Sequence, residues 1–212
     1  MMKRSTLLRA FISQQRSPIW LIVALILLGS GLYVVSLLLA PIRGAAPFVS
    51  SGWNQPVQQG MLHDQRLYIP RLQLNLPYAA GDESVLNDAV WHRYPERGDP
   101  EKGGNFILAG HRFVMGLTPG ETRRKSPFYA INTVKVGDYL YVDFNGRRYQ
   151  YEVTRHYEVK PTQVDIEAES VQPKMTLYTC TFGGETDGRD VLEAKLVQKD
   201  VDPTHPLVVN KP

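Results

Sequence analysis

From Ile19 to Ala40 the chain is apolar and carries no charge, and Pro18 and Pro41 bracket the run. About twenty residues of helix span roughly 30 Å, enough to cross a bilayer core. The run therefore predicts a membrane-spanning helix. A buried soluble helix and a cleaved signal peptide are the alternatives. The first is disfavoured by the unbroken length, and the second by an apolar core longer than signal peptides use. Beyond the span the pattern changes from continuous to alternating. Asn105 to His111, Tyr139 to Phe144, Arg147 to Val153, Met175 to Phe182 and Val191 to Val197 are short runs rich in β-branched and aromatic residues. Arg66 to Pro70 and Gln73 to Pro77 add shorter strand pieces. Asn145-Gly146 between two alternating runs predicts a type I′ hairpin, which needs positive φ at both central positions. Glu83 to Ala89 predicts a short helix capped by Asp82 or Gly81. Val114 to Ser126 reads as a long loop with a turn at Pro119-Gly120, and Gly98 to Gly104 as a polar loop. Many short strands with little helix predict a mostly β fold, a small closed β-barrel with short helices.

Five segments follow from this reading. Residues 1–18 form a basic tail, 19–40 a signal-anchor helix, and 41–60 a linker rich in Pro, Gly, Ser and Gln. Residues 61–201 form the folded domain and 202–212 a carboxy-terminal tail too short and polar to span a membrane. The apolar fraction of 43% supplies a core. The net charge of +3 is unevenly placed, because Lys3, Arg4, Arg9 and Arg16 all precede the span and no acid occurs before Asp64. The basic balance thus belongs to the tail, not to a nucleic-acid surface. Positive residues ahead of the span set the amino terminus in the cytoplasm and the domain outside it, a single-pass protein of the cell membrane. No internal repeat, zinc-ligand spacing or low-complexity tract occurs.

Cys180 is the only cysteine, so no internal disulfide can form and the thiol is free. It ends one predicted strand, ahead of Gly183 and Gly184. His111 ends another, and Arg189 opens a third. Together a thiol, an imidazole and a guanidinium can perform acyl transfer. Singly, each has a plainer reading: a buried filler, a loop histidine, and a surface partner of Asp187 or Asp190. His92 is a second histidine able to compete as the base, read here as structural or groove-lining. His63, His156 and His205 have no supporting context. Asp165, Glu167 and Glu169 alternate within Pro161 to Lys174, a pattern compatible with calcium but more usual for a solvated face.

Thr176-Leu177-Tyr178-Thr179-Cys180 resembles the TLxTC signature of the sortases. Ala109-Gly110-His111-Arg112 resembles their histidine motif, and Arg189 falls where their arginine follows the cysteine. Leu67-Tyr68-Ile69-Pro70 resembles the first core strand. Phe128 to Ile131 and Val136-Gly137-Asp138 resemble the link between the histidine and cysteine strands. The likeness covers nearly all of the chain beyond the anchor. It implies a cysteine transpeptidase with His111, Cys180 and Arg189 as catalytic residues and Thr179 supporting the oxyanion site. The segment Pro161 to Lys174 would wall a groove for the substrate. It implies no cofactor. It implies cleavage of a Leu-Pro-x-Thr-Gly-like sorting signal on surface proteins, between Thr and Gly, through a thioacyl enzyme. An amine of a peptidoglycan precursor, or a pilin lysine, then accepts the acyl group. Lacking the lid motif of pilin polymerases, the chain is similar to wall-anchoring, housekeeping members, although Phe182 to Thr186 fits no subclass. Two other readings stay open. One is an L,D-transpeptidase, whose Ser-x-Gly-Cys context is missing. The other is a membrane-tethered β-barrel that only binds.

Overall fold

The computed structural model describes residues 18–42, 65–204 and 206–210. The basic tail, the linker from residue 43 with Trp53, the domain start at Met61, His63 and His205 lie outside the described residues. The chain divides into two units, Met1–Ser36 and Leu37–Pro212. Helix α1 spans Pro18–Leu39, one residue short of the predicted end, and Ile19–Leu39 is long and apolar enough to cross a membrane. Its large side chains are exposed almost throughout, as a lipid-facing helix requires.

The second unit is a barrel. Its strands are β1 (Arg66–Ile69), β2 (Leu74–Ala80), β3 (Val90–Arg93), β4 (Gly98–Asp99), β5 (Gly103–Ala109), β6 (Tyr139–Phe144), β7 (Arg147–Val159), β8 (Lys174–Thr181) and β9 (Gly184–Gln198). The order β3-β2-β1-β6-β7-β9-β8-β5 closes through β3–β5 pairing, and β4 adds a two-residue edge to β5. Closure leaves eight strands without an exposed edge, so every backbone row is paired. Most neighbours are antiparallel; β2–β3 and β5–β8 are parallel. The β6–β7 hairpin turns at Asn145 and Gly146, both with positive φ (49° and 77°), as the dipeptide predicts.

Inward-facing residues of all the long strands build one core: Leu67, Phe106, Leu108, Leu140, Val142, Tyr149, Tyr151, Val153, Leu177 and Leu192 among them. A second, smaller cluster lies on the outer face, where Ile107, Ala109, Tyr178 and Val191 meet Ile166. Ile166 belongs to a 3-10 turn, Val164–Glu167, inside the predicted Pro161 to Lys174 loop. That loop is fastened to the barrel. Asn105 Nδ2 donates to the carbonyls of Ile166 and Ala168, and Arg97 Nη1 donates to that of Glu167. Glu167 is buried and accepts from Arg93 and from the Tyr178 hydroxyl, both on the barrel. It therefore does not point with Asp165 and Glu169 towards a shared cation. Among the described residues no three His, Cys, Asp or Glu side chains converge.

The stretch 114–126 differs from expectation. Instead of a continuous loop it contains helix α2, Pro119–Lys125. Pro119 sits at the first helical position, where its missing N–H costs nothing. Thr118 caps the helix by accepting from Glu121 N (3.1 Å), and Glu121 pairs with Lys125 one turn later (2.8 Å). The Pro-Gly dipeptide starts a helix here rather than a turn.

Candidate active site

Cys180 sits at the end of β8 directly opposite Arg189 of β9. Strand alternation places both on the face of Tyr178 and Val191, the outer cluster, rather than in the barrel interior. The parallel β5–β8 pairing matches Ala109 with Tyr178, and Gly110 N donates to Tyr178 O (3.2 Å). His111 lies two residues beyond the end of β5, past the last printed pair, so the strand it was expected to close ends earlier, at Ala109, and the imidazole is carried by the segment that leaves β5 beside the end of β8. Glu185, near the start of β9, acts electrostatically on both Cys180 and His111. The barrel thus gathers the three residues from positions 111, 180 and 189.

Local sequence explains this placement. Gly110 is required because a Cβ there would lie 2.3 Å from the ring of Phe128, a buried core residue. Phe128 N in turn donates to His111 O (3.2 Å), fixing the backbone that carries the imidazole. The β8–β9 turn is closed by a Thr181 hydroxyl bond to Asp187. Arg189 Nη1 donates to the carbonyls of Glu185 (2.9 Å) and Gly188 (3.0 Å). The Nε–Nη2 edge donates to none of the described residues. That edge is a two-donor fork of the kind that binds an oxyanion or carboxylate.

Both reactive groups are half-buried, and burial decides their charge. It pushes the Cys180 thiol up from its ordinary value; Arg189 pulls it down only in part, and Glu185 adds to the rise. Burial is also the main reason the His111 imidazole sits below its ordinary value, with Glu185 and Glu83 opposing. Both shifts favour the uncharged forms, a neutral thiol and a neutral imidazole.

Thr179 is brought to the site only through its backbone. It pairs with Asp190 and points into the barrel, where its buried hydroxyl has no hydrogen-bond partner among the described residues. His92 is 4% exposed, its ring edge-on to Phe106 (4.7 Å) and Tyr78 (6.2 Å), with Nε2 near Gly98 O (3.3 Å). Burial holds its imidazole below the ordinary value. It packs in the wall of the barrel rather than against the thiol. Asp187 and Asp190, the surface partners considered for Arg189, are both engaged elsewhere. Asp190 is bound by Arg112 and His156, neither of which sequence spacing singles out. Phe182, 60% exposed, caps this corner, with Tyr129 edge-on at 5.2 Å.

A closed β-barrel that carries a thiol and a guanidinium on paired strands, with an imidazole just beyond the end of the adjacent strand, has an architecture suited to cysteine acyl transfer. The Sortase domain family model matches residues 67–197, and the chain belongs to the sortase family, a family of transpeptidases. Sortase A of Bacillus anthracis is 27% identical over 134 residues, covering 62% of this chain and 59% of that protein. The match therefore spans less than two thirds of that relative. Putative sortase YwpE of Bacillus subtilis (strain 168) is 28% identical over 102 residues, 48% of this chain and 92% of that one. Among solved structures, sortase A from Corynebacterium diphtheriae superimposes with a TM-score of 0.56 at 25% identity, covering 69% of this chain and 65% of that one. Sortase C-1 from Actinomyces oris does so with a TM-score of 0.52 at 28% identity, covering 63% and 73%.

Proposed function

We propose that this protein is a membrane-anchored cysteine transpeptidase that cleaves a Leu-Pro-x-Thr-Gly-like sorting signal between Thr and Gly and passes the acyl group to an amine. The observation that carries this reading is the strand register: Cys180 faces Arg189 across β8–β9, and β5, which pairs with β8 as far as Tyr178, ends two residues before His111. Proton transfer from Cys180 to His111 generates the thiolate, which adds to the Thr carbonyl. The free edge of Arg189 receives the developing oxyanion. Collapse expels the Gly amine, protonated by His111, and leaves a thioester on Cys180. An acceptor amine then attacks the thioester, losing its proton to His111, and the thiol is restored. The acceptor on this reading is a peptidoglycan precursor, as in wall-anchoring members. Ile166 packs the loop onto Ile107, Ala109, Tyr178 and Val191 on the face that also carries Cys180, which supports a sorting-signal groove bordered by that loop. Helix α1 anchors the domain, with the basic tail in the cytoplasm and the barrel outside.

The test is product analysis with a Leu-Pro-x-Thr-Gly peptide and triglycine. A new amide between Thr and triglycine, absent without enzyme, is expected. Binding of the peptide with no cleavage at any pH would leave a binding module instead.

The resting protonation also makes a prediction. Because the thiol is raised, its thiolate appears only as pH climbs past the ordinary thiol value of about 8.5. Iodoacetamide labelling of Cys180 should therefore reach its half-maximal rate above that pH. A half-maximal rate below pH 7 would mean that a thiolate–imidazolium pair is the resting state.

A further inference from the structure

Behind the three proposed catalytic residues lies a charged cluster that they do not use. Asp190, 2% exposed, accepts from Arg112 Nη1 at Oδ2 (2.7 Å) and meets His156 Nε2 at Oδ1 (2.6 Å). Arg112, 5% exposed, sends Nη2 to Asn132 Oδ1 (3.0 Å), and its guanidinium lies 4.1 Å from the centre of the Phe182 ring. His156 Nδ1 meets Val134 O (2.9 Å). Both imidazole nitrogens thus face oxygen atoms, one of the Asp190 carboxylate and one of the Val134 carbonyl.

The cluster joins three strands at the barrel end that carries Cys180. Arg112 follows β5, His156 is on β7 and Asp190 on β9. A β-bulge puts His156 there. Along β7 the odd residues Tyr149, Tyr151 and Val153 fill the core, but the register slips between Val153 and Arg155. After the slip Tyr157 and Val159 pack on the outer cluster and His156 turns inward.

Two members of the cluster are covalent neighbours of proposed catalytic residues: Arg112 follows His111, and Asp190 follows Arg189. Along β9, alternation points Arg189 outward and Asp190 inward. A pull between Arg112 and Asp190 therefore acts on the backbones that carry the imidazole and the guanidinium. Buried charges of this kind are poor sources of stability, since well-packed apolar side chains usually do as well or better. What they supply is a fixed geometry between the elements they join.

We propose that Asp190 is a positioning residue, clamping Arg112 and His156 so that His111 and Arg189 are held in register around Cys180. This inference rests on the transpeptidase reading above. Its test measures cleavage of the Leu-Pro-x-Thr-Gly peptide by full-length Asp190→Asn protein in detergent. Turnover is expressed per folded molecule, the folded fraction being read from near-ultraviolet circular dichroism. Asn keeps the size but removes the charge that Arg112 pairs with. Turnover per folded molecule should fall at least about tenfold with KM within about threefold, as expected when reacting groups are misplaced by a fraction of an ångström. A cluster that only stabilises the fold would lower the folded fraction and leave turnover per folded molecule unchanged, and that result overturns the proposal. Should Asp190→Asn fail to fold, His156→Gln replaces it, because His156 sits at the more accessible end of the cluster. Gln can donate to Asp190 but not also to Val134, so turnover per folded molecule should fall at least about threefold, and an unchanged value overturns the proposal equally. A double variant costing no more than Asp190→Asn alone is expected if the two residues act as one unit. Wild-type protein that fails to cleave the peptide refutes the transpeptidase reading instead, so the two failures are distinguishable.

Discussion

Cys180→Ala protein is expected to fold normally and to have lost thioester formation altogether, a fall of about a thousandfold or more when the nucleophile of a covalent mechanism is removed. The fold should tolerate the change because the side chain is small and half-buried, at a strand end outside the main core. No hydrogen bond of the described residues depends on the Cys180 side chain, and the neighbours Thr179 and Arg189 keep their backbone pairing. A thermal midpoint within about 4 °C of wild type is expected, the shift that about 1 kcal/mol produces in a domain of this size. Residual peptide cleavage at the wild-type rate would place the chemistry elsewhere. Loss of activity together with loss of the folded barrel would show that the thiol is a packing group after all.

The second large effect belongs to His111. Replacing it by Ala removes both the base for the thiol and the acid for the leaving amine, and turnover should drop by about a hundredfold to ten-thousandfold, the usual worth of a positioned proton-transfer group. The neutral resting state sharpens this expectation: with the thiol raised by burial, little thiolate exists at neutral pH unless His111 takes the proton. His92→Ala provides the contrast. Its ring is packed against Phe106 and Tyr78, so its loss should lower the thermal midpoint while turnover per folded molecule stays within about threefold. Assaying both variants on one peptide decides between the histidines. Activity retained in His111→Ala and lost in His92→Ala would reverse the assignment.

Period-two patterning and turn chemistry made most of the barrel legible. The Asn145-Gly146 hairpin and the strands expected to end at His111 and Phe182, which close earlier at Ala109 and Thr181, are local features, set by alternation and by residues that tolerate positive φ. Helix α2 has local signals in Thr118, Pro119 and the Glu121–Lys125 pair, but Pro119-Gly120 matches a turn equally well, so the loop expected over 114–126 and the helix found there share one pattern. The inward cluster was not legible. Arg112 and Asp190 are 78 residues apart, and no spacing rule joins them. His156 is more instructive, because a strict alternation along β7 puts its side chain outside the barrel. The bulge after Val153 reverses that parity, and a single extra residue leaves no clear mark in the hydrophobic pattern. Thr179 shows the converse. Adjacency to Cys180 in sequence brings its backbone to the site while alternation turns its hydroxyl away.

On this mechanism Cys180 carries an acyl group during the reaction. Intact-mass spectrometry of the protein, quenched in acid while turning over a Leu-Pro-x-Thr-Gly peptide without added amine, tests that step most directly. A covalent adduct with the mass of the peptide up to its Thr, less water, is expected. The adduct should map to Cys180, be removed by hydroxylamine, and be missing from Cys180→Ala protein. Peptide cleavage with no such adduct at any quench time, or an adduct that persists in Cys180→Ala, would contradict the mechanism.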